Sequence, residues 1–159
     1  ILNGINFSGY HDFTEDVIGS LKFYGRAIKG IDDDVRLSER LFLPSKRLRG
    51  FVAGKVGPKD GKDWVGGNYN AALSAEAQLP NLLPESYRTD ISVFLDTGNV
   101  WGVDYDKGRD ESQLIRSSAG IGASVWTPVG PLTWTFSQNL TKADTDSTES
   151  FNFKLGTSF

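Results

Sequence analysis

The stretch Asn68-Tyr-Asn-Ala-Ala-Leu-Ser-Ala-Glu-Ala-Gln-Leu79 decides the fold. Its alanines invite a helix, but the polar residues recur at every second position, not every third or fourth. Tyr69, Ala71, Leu73, Ala75, Ala77 and Leu79 share one face; Asn68, Asn70, Ala72, Ser74, Glu76 and Gln78 share the other. That period of two is a strand with one apolar and one polar side.

The same alternation appears on both sides of it. Downstream, 88–101 (RTDISVFLDTGNVW) sets Ile91, Val93 and Leu95 against Asp90, Ser92, Phe94 and Asp96. In 114–127, Ile115, Ala119, Ile121, Ala123 and Val125 oppose Arg116, Ser118, Gly120, Gly122, Ser124 and Trp126. In 132–140, Leu132, Trp134, Phe136 and Leu140 oppose Thr133, Thr135, Ser137 and Asn139, and the closing 151–159 carries Phe151, Phe153, Leu155 and Phe159 on one face. Upstream, 16–29 sets Val17, Leu21, Phe23 and Ala27 against Ser20, Lys22, Tyr24 and Arg26, and 1–10 is a shorter candidate. The chain therefore reads as all-β, with about seven strands and no convincing helix.

The connections alternate in length. Segments 11–15, 80–87 and 128–131 are short; 31–66, 102–113 and 141–149 are long. Sequential antiparallel strands put alternate connections at opposite ends, and short turns at one end with long loops at the other is the pattern of outer-membrane barrels. A soluble up-and-down barrel and a seven-stranded sandwich also fit the strand count, but their apolar faces turn inward. A polar face rich in Gly, Ser, Thr and Asn suits a hydrated lumen, which favours an antiparallel transmembrane β-barrel. Tyr10, Tyr69, Trp101, Trp126 and Trp134 fall near strand ends, as interfacial aromatics do.

Composition agrees without deciding. The 159 residues carry a net charge of −3 with 23% charged side chains, so no basic footprint points to nucleic acid. Mean hydropathy is −0.31, but alternating strands are polar on average and hydropathy does not exclude a membrane. Cysteine is absent, which removes disulfides and thiolate metal sites. His11 is the lone histidine and reads as a solvated turn residue; Asp32-Asp33-Asp34 lacks the ligand spacing of an EF-hand and reads as an exposed acidic turn. The first residue is Ile1 and no signal peptide precedes it, so the chain is expected to be a piece of something longer.

The long segment 31–66 is unusual, since structureless connections of that length are mostly functional or disordered. It contains Arg47-Leu48-Arg49-Gly50-Phe51. Strand parity turns Glu76, Asp96 and Phe94 toward the lumen on adjacent strands. Two carboxylates there attract a cation, and a guanidinium with five donors can bridge both. The loop is thus expected to fold inward and bring Arg49 to Glu76 and Asp96, with Gly50 allowing tight backbone geometry and Phe51 packing on wall side chains such as Phe94. The plainer alternative is a solvated Arg49 and two hydrated lumen acids. An acid/base pair formed by the same carboxylates lacks a nucleophile, a histidine and a substrate pocket.

The ordered set RLRGF (47–51), the Gly57-Pro58 and Gly66-Gly67 pairs, EAQLP (76–80), FLDTGNVW (94–101), RSSAGIG (116–122), WTPVGPL (126–132) and FNFKLGTSF (151–159) resembles the C-terminal barrel region of BamA-type outer-membrane assembly factors, from about residue 16 onward. The resemblance implies a portion of a barrel of about sixteen strands, within the even-numbered range of bacterial barrels, normally preceded by POTRA domains that are absent here. It implies that Leu48-Arg49-Gly50-Phe51, with Leu in place of the family's Val, is an inward loop motif whose arginine meets Glu76, Phe94 and Asp96. It implies a lateral seam along the last strand, with Phe151, Phe153, Leu155 and Phe159 as an assembly signal and Gly156 at a kink. The function implied is non-enzymatic: folding and inserting barrel clients in the outer membrane by strand templating, without a cofactor or metal. The partners implied are nascent outer-membrane proteins, BAM lipoproteins, the bilayer, and either missing barrel strands or a second copy to cover the open edges. TamA-type translocation factors, and the barrel of a patatin-like outer-membrane phospholipase, share the architecture and stay open.

Overall fold

The computed structural model describes residues 1–103 and 114–156. Seven strands form one antiparallel sheet: β1 (Leu2–Thr14), β2 (Val17–Ile28), β5 (Tyr69–Leu79), β6 (Thr89–Trp101), β7 (Arg116–Thr127), β8 (Gly130–Thr141) and β9 (Phe151–Leu155). They lie in the order β1-β2-β5-β6-β7-β8-β9, each beside its sequence neighbour in the sheet, and among the described residues the sheet does not close. Between β2 and β5 a two-stranded hairpin, β3 (Lys59–Asp60) and β4 (Asp63–Trp64), stands apart. Among the described residues no helix is long and apolar enough to cross a membrane, which says nothing about crossing by strands.

The wall strands from β1 to β8 run 11 to 13 residues. A tilted strand of about 9–11 residues spans a bilayer. Burial follows parity in the inverted sense that separates a membrane barrel from a soluble one. Leu95, Ile121 and Phe136 expose 49%, 52% and 57% of their surface, while Asp96 and Ser118, on the other face, expose none. An apolar face this continuous demands a cover, and for a barrel wall that cover is lipid.

The dry core of the chain lies on the polar side of the sheet. Leu43, Leu48, Phe51 and Val56 from the β2–β5 loop pack with Tyr24 of β2, Ala72 of β5 and Val100 of β6. The loop's apolar residues have turned inward and filled what would be open lumen.

Several local features differ from the sequence expectation. His11 to Thr14 belong to β1, and only Glu15-Asp16 turn; His11 pairs with Gly19 and sets its ring edge-on to Phe13 at 5.0 Å. Strand β8 begins at Gly130, so the turn is two residues, Pro128-Val129, with Gly130 at φ 116°. The hairpin β3–β4 inside the long loop is too short to leave a periodic signal. The expected 102–113 loop and Phe159 fall mainly outside the described residues.

Candidate functional site: the lumen clamp around Arg49

Register organises the lumen face into rows. Ser74 of β5 pairs with Asp96 of β6, Asp96 with Ser118 of β7, and Ser118 with Asn139 of β8. The neighbouring row runs Ser20, Glu76, Phe94, Gly120, Ser137 across β2 to β8. Both rows converge on one dipeptide of the loop, Arg49-Gly50.

The first row binds by hydrogen bonds. Asp96 Oδ2 accepts from Arg49 Nε at 2.7 Å and from the Arg49 backbone N–H at 3.0 Å; Oδ1 accepts from Nη2 at 2.9 Å and from Ser74 Oγ at 2.5 Å. Arg49 Nη2 also donates to Ser74 Oγ at 3.0 Å. Ser118 Oγ donates to the Arg49 carbonyl, and Asn139 Nδ2 donates to the Gly50 carbonyl at 2.9 Å. The loop backbone is therefore fixed by the same residues that fix the side chain.

The second row completes the cage. Arg49 Nη1 meets Glu76 Oε2 at 2.5 Å. The guanidinium carbon lies 3.7 Å from the Phe94 ring centroid, a cation–π contact worth about 1–2 kcal/mol where water is excluded. Gly120 leaves the space that Phe94 occupies: a Cβ there would stand 2.7 Å from Phe94 Cζ and closer still to the Phe136 carbonyl. Gly50 has φ 89°, and a Cβ on it would stand 2.9 Å from Ser137 Oγ. The glycine is needed for both its dihedral and its closeness to the wall.

Electrostatically the site balances two acids against one arginine. The Asp96 side chain is fully shielded, Glu76 and Arg49 nearly so, at 14% and 20% exposure. Burial works against the charge on Arg49, but hydrogen bonding to Asp96 and the charges of Asp96 and Glu76 outweigh it and raise its pKa above the ordinary value. Arg49 is a permanent cation here, held between the two carboxylates.

The remaining loop residues divide as their chemistry dictates. Leu48 and Phe51 are 2% and 1% exposed and belong to the lumen cluster. Phe51 thus packs with the Tyr24, Ala72 and Val100 group, while Phe94, its expected neighbour, serves as the floor beneath Arg49. On the last strand, Phe151, Phe153 and Leu155 face outward and pair across to Phe136, Trp134 and Leu132 of β8. Two of those pairs are ring contacts, Trp134–Phe153 at 5.8 Å and Phe136–Phe151 at 5.0 Å. Gly156 follows at φ 99°, and its N–H reaches the Pro131 carbonyl at 2.9 Å.

A second arginine, Arg116, is shielded on the lumen face. Arg116 of β7 forms an ion pair with Asp146, Nε to Oδ2 at 2.8 Å, and both side chains are fully shielded. It also donates to Asn99 Oδ1. The polar parity of Arg116 marked it as lumen-facing. Nothing in the stretch 141–149 singled out Asp146 from its acidic neighbours.

The comparisons with known proteins agree with this architecture. The model of the Omp85 superfamily domain matches residues 3–159. The chain belongs to the Omp85 superfamily. Its barrel region is of the BamA type and its place is the outer membrane, as the relatives indicate. The outer membrane protein assembly factor BamA of Neisseria meningitidis serogroup B is 33% identical, over 70% of this chain and 17% of the relative. The protein of the same name from Neorickettsia risticii is 29% identical, over 90% of this chain and 19% of the relative. The crystal structure of BamA from Haemophilus ducreyi lacking POTRA domains 1-3 superposes with a TM-score of 0.85 at 26% identity, over 96% of this chain and 34% of that one. The chain thus spans about a fifth of the curated relatives' length and a third of that structure.

Proposed function

We propose that this region works within an outer-membrane protein assembly factor that folds and inserts β-barrel clients. The observation that carries the reading is the Arg49 clamp within an Omp85 barrel wall whose curated relatives are named for outer-membrane protein assembly. A loop that packs on the lumen face and is tied to the wall through both rows around Arg49-Gly50 is a brace: it occupies space that a solute path would need. A pore would leave that space to water.

The work then falls to the sheet edge. Strand β9 ends its ladder at Leu155, and on its far side the backbone groups face a neighbour that the described strands do not supply. An incoming client strand presents the same backbone chemistry and pairs there by β-augmentation. Aromatic pairs anchor β9 to β8 on the lipid side, so the edge is held while its outer groups exchange partners. Phe151, Phe153, Leu155 and Gly156 belong to this seam, and Leu48 to Phe51 with Glu76, Phe94 and Asp96 hold the wall that leads to it. Clients are nascent outer-membrane proteins, helper lipoproteins bind elsewhere on the whole protein, and the process makes and breaks no covalent bond.

The test is complementation. The full-length gene, expressed in cells depleted of their own assembly factor, restores the outer-membrane level and the heat-modifiable folded form of resident barrels. Growth without restored barrel assembly, or restored transport of a single unrelated substrate class, overturns the reading.

A further inference from the structure

We propose that Asp146 is a latch residue that couples the seating of the lumen loop to the strand that bears the seam. The inference concerns the fold of this barrel region and stands whether or not the region acts in assembly. Asp146 lies in the connection between β8 and β9. Asp146 is gripped from β7 by a two-point fork, Arg116 Nε to Oδ2 at 2.8 Å and Nη2 to Oδ1 at 3.1 Å. Its Oδ2 also accepts the Ala143 N–H at 2.9 Å, and its own N–H reaches the Ala143 carbonyl at 3.1 Å, closing the turn. One carboxylate thereby shapes the turn and pins it to the wall.

The next residues grip the lumen loop. Val52 donates to the Ser147 carbonyl at 2.9 Å, Ser147 to the Lys55 carbonyl at 3.1 Å, and Glu149 to the Gly50 carbonyl at 3.0 Å, with Phe51 opposite Thr148 as an antiparallel bridge. Directly afterward the chain enters β9. The Ser150 carbonyl accepts from Ser137 of β8 at 2.9 Å, and Lys154 of β9 reaches across to Ser45 of the lumen loop at 2.9 Å. The segment 143–150 therefore has four attachments: β7 through Asp146, the loop through Ser147 to Glu149, β8 through Ser137, which donates to the Glu149 and Ser150 carbonyls, and β9 by covalent continuity.

Arg49 and Arg116 act on opposite sides of this segment. Arg49 holds the loop to β5 and β6; Arg116 holds the partner of that loop to β7. Releasing Asp146 frees the turn from β7, so the segment bridging to Gly50–Lys55 loses that hold while keeping the one at Ser137. The consequence appears in the lumen loop, in residues that Asp146 does not touch.

Hydrogen exchange on the full-length protein in lipid nanodiscs reads this directly, because the Val52, Ser147 and Glu149 amides donate the bridging bonds. In Asp146→Asn, exchange is expected to quicken about tenfold in segments 50–56 and 143–150 together, with β5 and β6 unchanged, as expected for sub-global opening. Faster exchange confined to 143–150, or no change in either segment, overturns the coupling. Should Asp146→Asn fail to fold, Arg116→Lys decides. It keeps the charge and loses the fork, so a smaller paired loss is expected, and Asp146→Glu in the wild-type background should retain most of the loop's protection. A loss in Arg116→Lys that spares 50–56 also overturns the proposal.

Discussion

Arg49 donates to Asp96 from three nitrogens, Nε at 2.7 Å, Nη2 at 2.9 Å and the backbone N–H at 3.0 Å. The third bond matters as much as the ion pair. A side-chain salt bridge alone would let the loop slide along the wall by rotating the arginine. With the backbone also held, and the Arg49 and Gly50 carbonyls taken by Ser118 and Asn139, the loop has one register against four strands. The clamp specifies position, which is where buried polar groups contribute most reliably.

Replacing Arg49 therefore has two separable effects. Arg49→Ala leaves Asp96 shielded and without its cation, and breaking a buried pair in this way costs about 3–5 kcal/mol. Arg49→Lys keeps the charge but supplies no planar fork and cannot reach Ser74, Glu76 and both Asp96 oxygens at once. The lysine variant is expected to fall between wild type and alanine. Denaturant midpoints of the folded, heat-modifiable form in detergent measure the order. A lysine variant equal to wild type would show that only charge is needed.

The two carboxylates are not equivalent. Asp96 is fully shielded and accepts four hydrogen bonds; Glu76 takes one from Arg49 and retains 14% exposure. Asp96→Asn also turns an amide N–H₂ toward donors, so it adds a clash of like groups. It is expected to cost about 2–3 kcal/mol more than Glu76→Gln, from the penalty on buried unsatisfied groups. Side-by-side chemical denaturation of the two variants checks the difference, and an equal loss would mean that net charge, not hydrogen bonding, sets the site.

Much of this site was legible in the sequence because parity is a strict rule. Once Leu95 faces lipid, Asp96 faces the lumen, and the same reasoning carried Glu76 and Phe94 inward. Two lumen acids attract a cation without saying which one, so the inward turn of the loop rested on the family resemblance of Leu48-Arg49-Gly50-Phe51. Pairing register was not legible: nothing in the residues says that Ser74, Asp96, Ser118 and Asn139 stand in one row, because register is set by turn lengths and by the irregularity between Ser117 and Ser118. The Asp146 pair was hidden for a related reason. Loop–loop contacts such as Phe51 with Thr148 join segments far apart in the chain, with no period to betray them.

Gly50 gives a steric prediction. Gly50→Ala forces a side chain into φ 89° and sets its Cβ 2.9 Å from Ser137 Oγ. The dihedral and the contact together are expected to cost about 2–4 kcal/mol, in line with strain at a positive φ plus overpacking. Adding Ser137→Gly removes the contact and leaves the dihedral, so it should recover part of the loss and no more. Full recovery in the double variant, read by thermal unfolding of the heat-modifiable form, would show that the backbone angle is unstrained for alanine.

Orientation of the wall is open to a direct measurement, helped by a sequence without cysteine. Phe136 is 57% exposed on the apolar face, and its neighbour Thr135 lies on the lumen face. The single variants Phe136→Cys and Thr135→Cys, spin-labelled in the full-length protein in nanodiscs, should respond oppositely. The label at position 136 should be accessible to membrane-dissolved oxygen, and the label at position 135 to a water-soluble relaxant or to neither. The same contrast should hold for Leu95 against lumen-row positions such as Ser118, where the label would meet the seated loop. Charge gives an energetic version: Leu95→Arg near mid-membrane should cost about 2–4 kcal/mol, while Thr135→Arg, facing the lumen, should cost far less. Equal accessibility at 135 and 136, or equal cost of the two arginines, would mean that the apolar face meets something other than lipid.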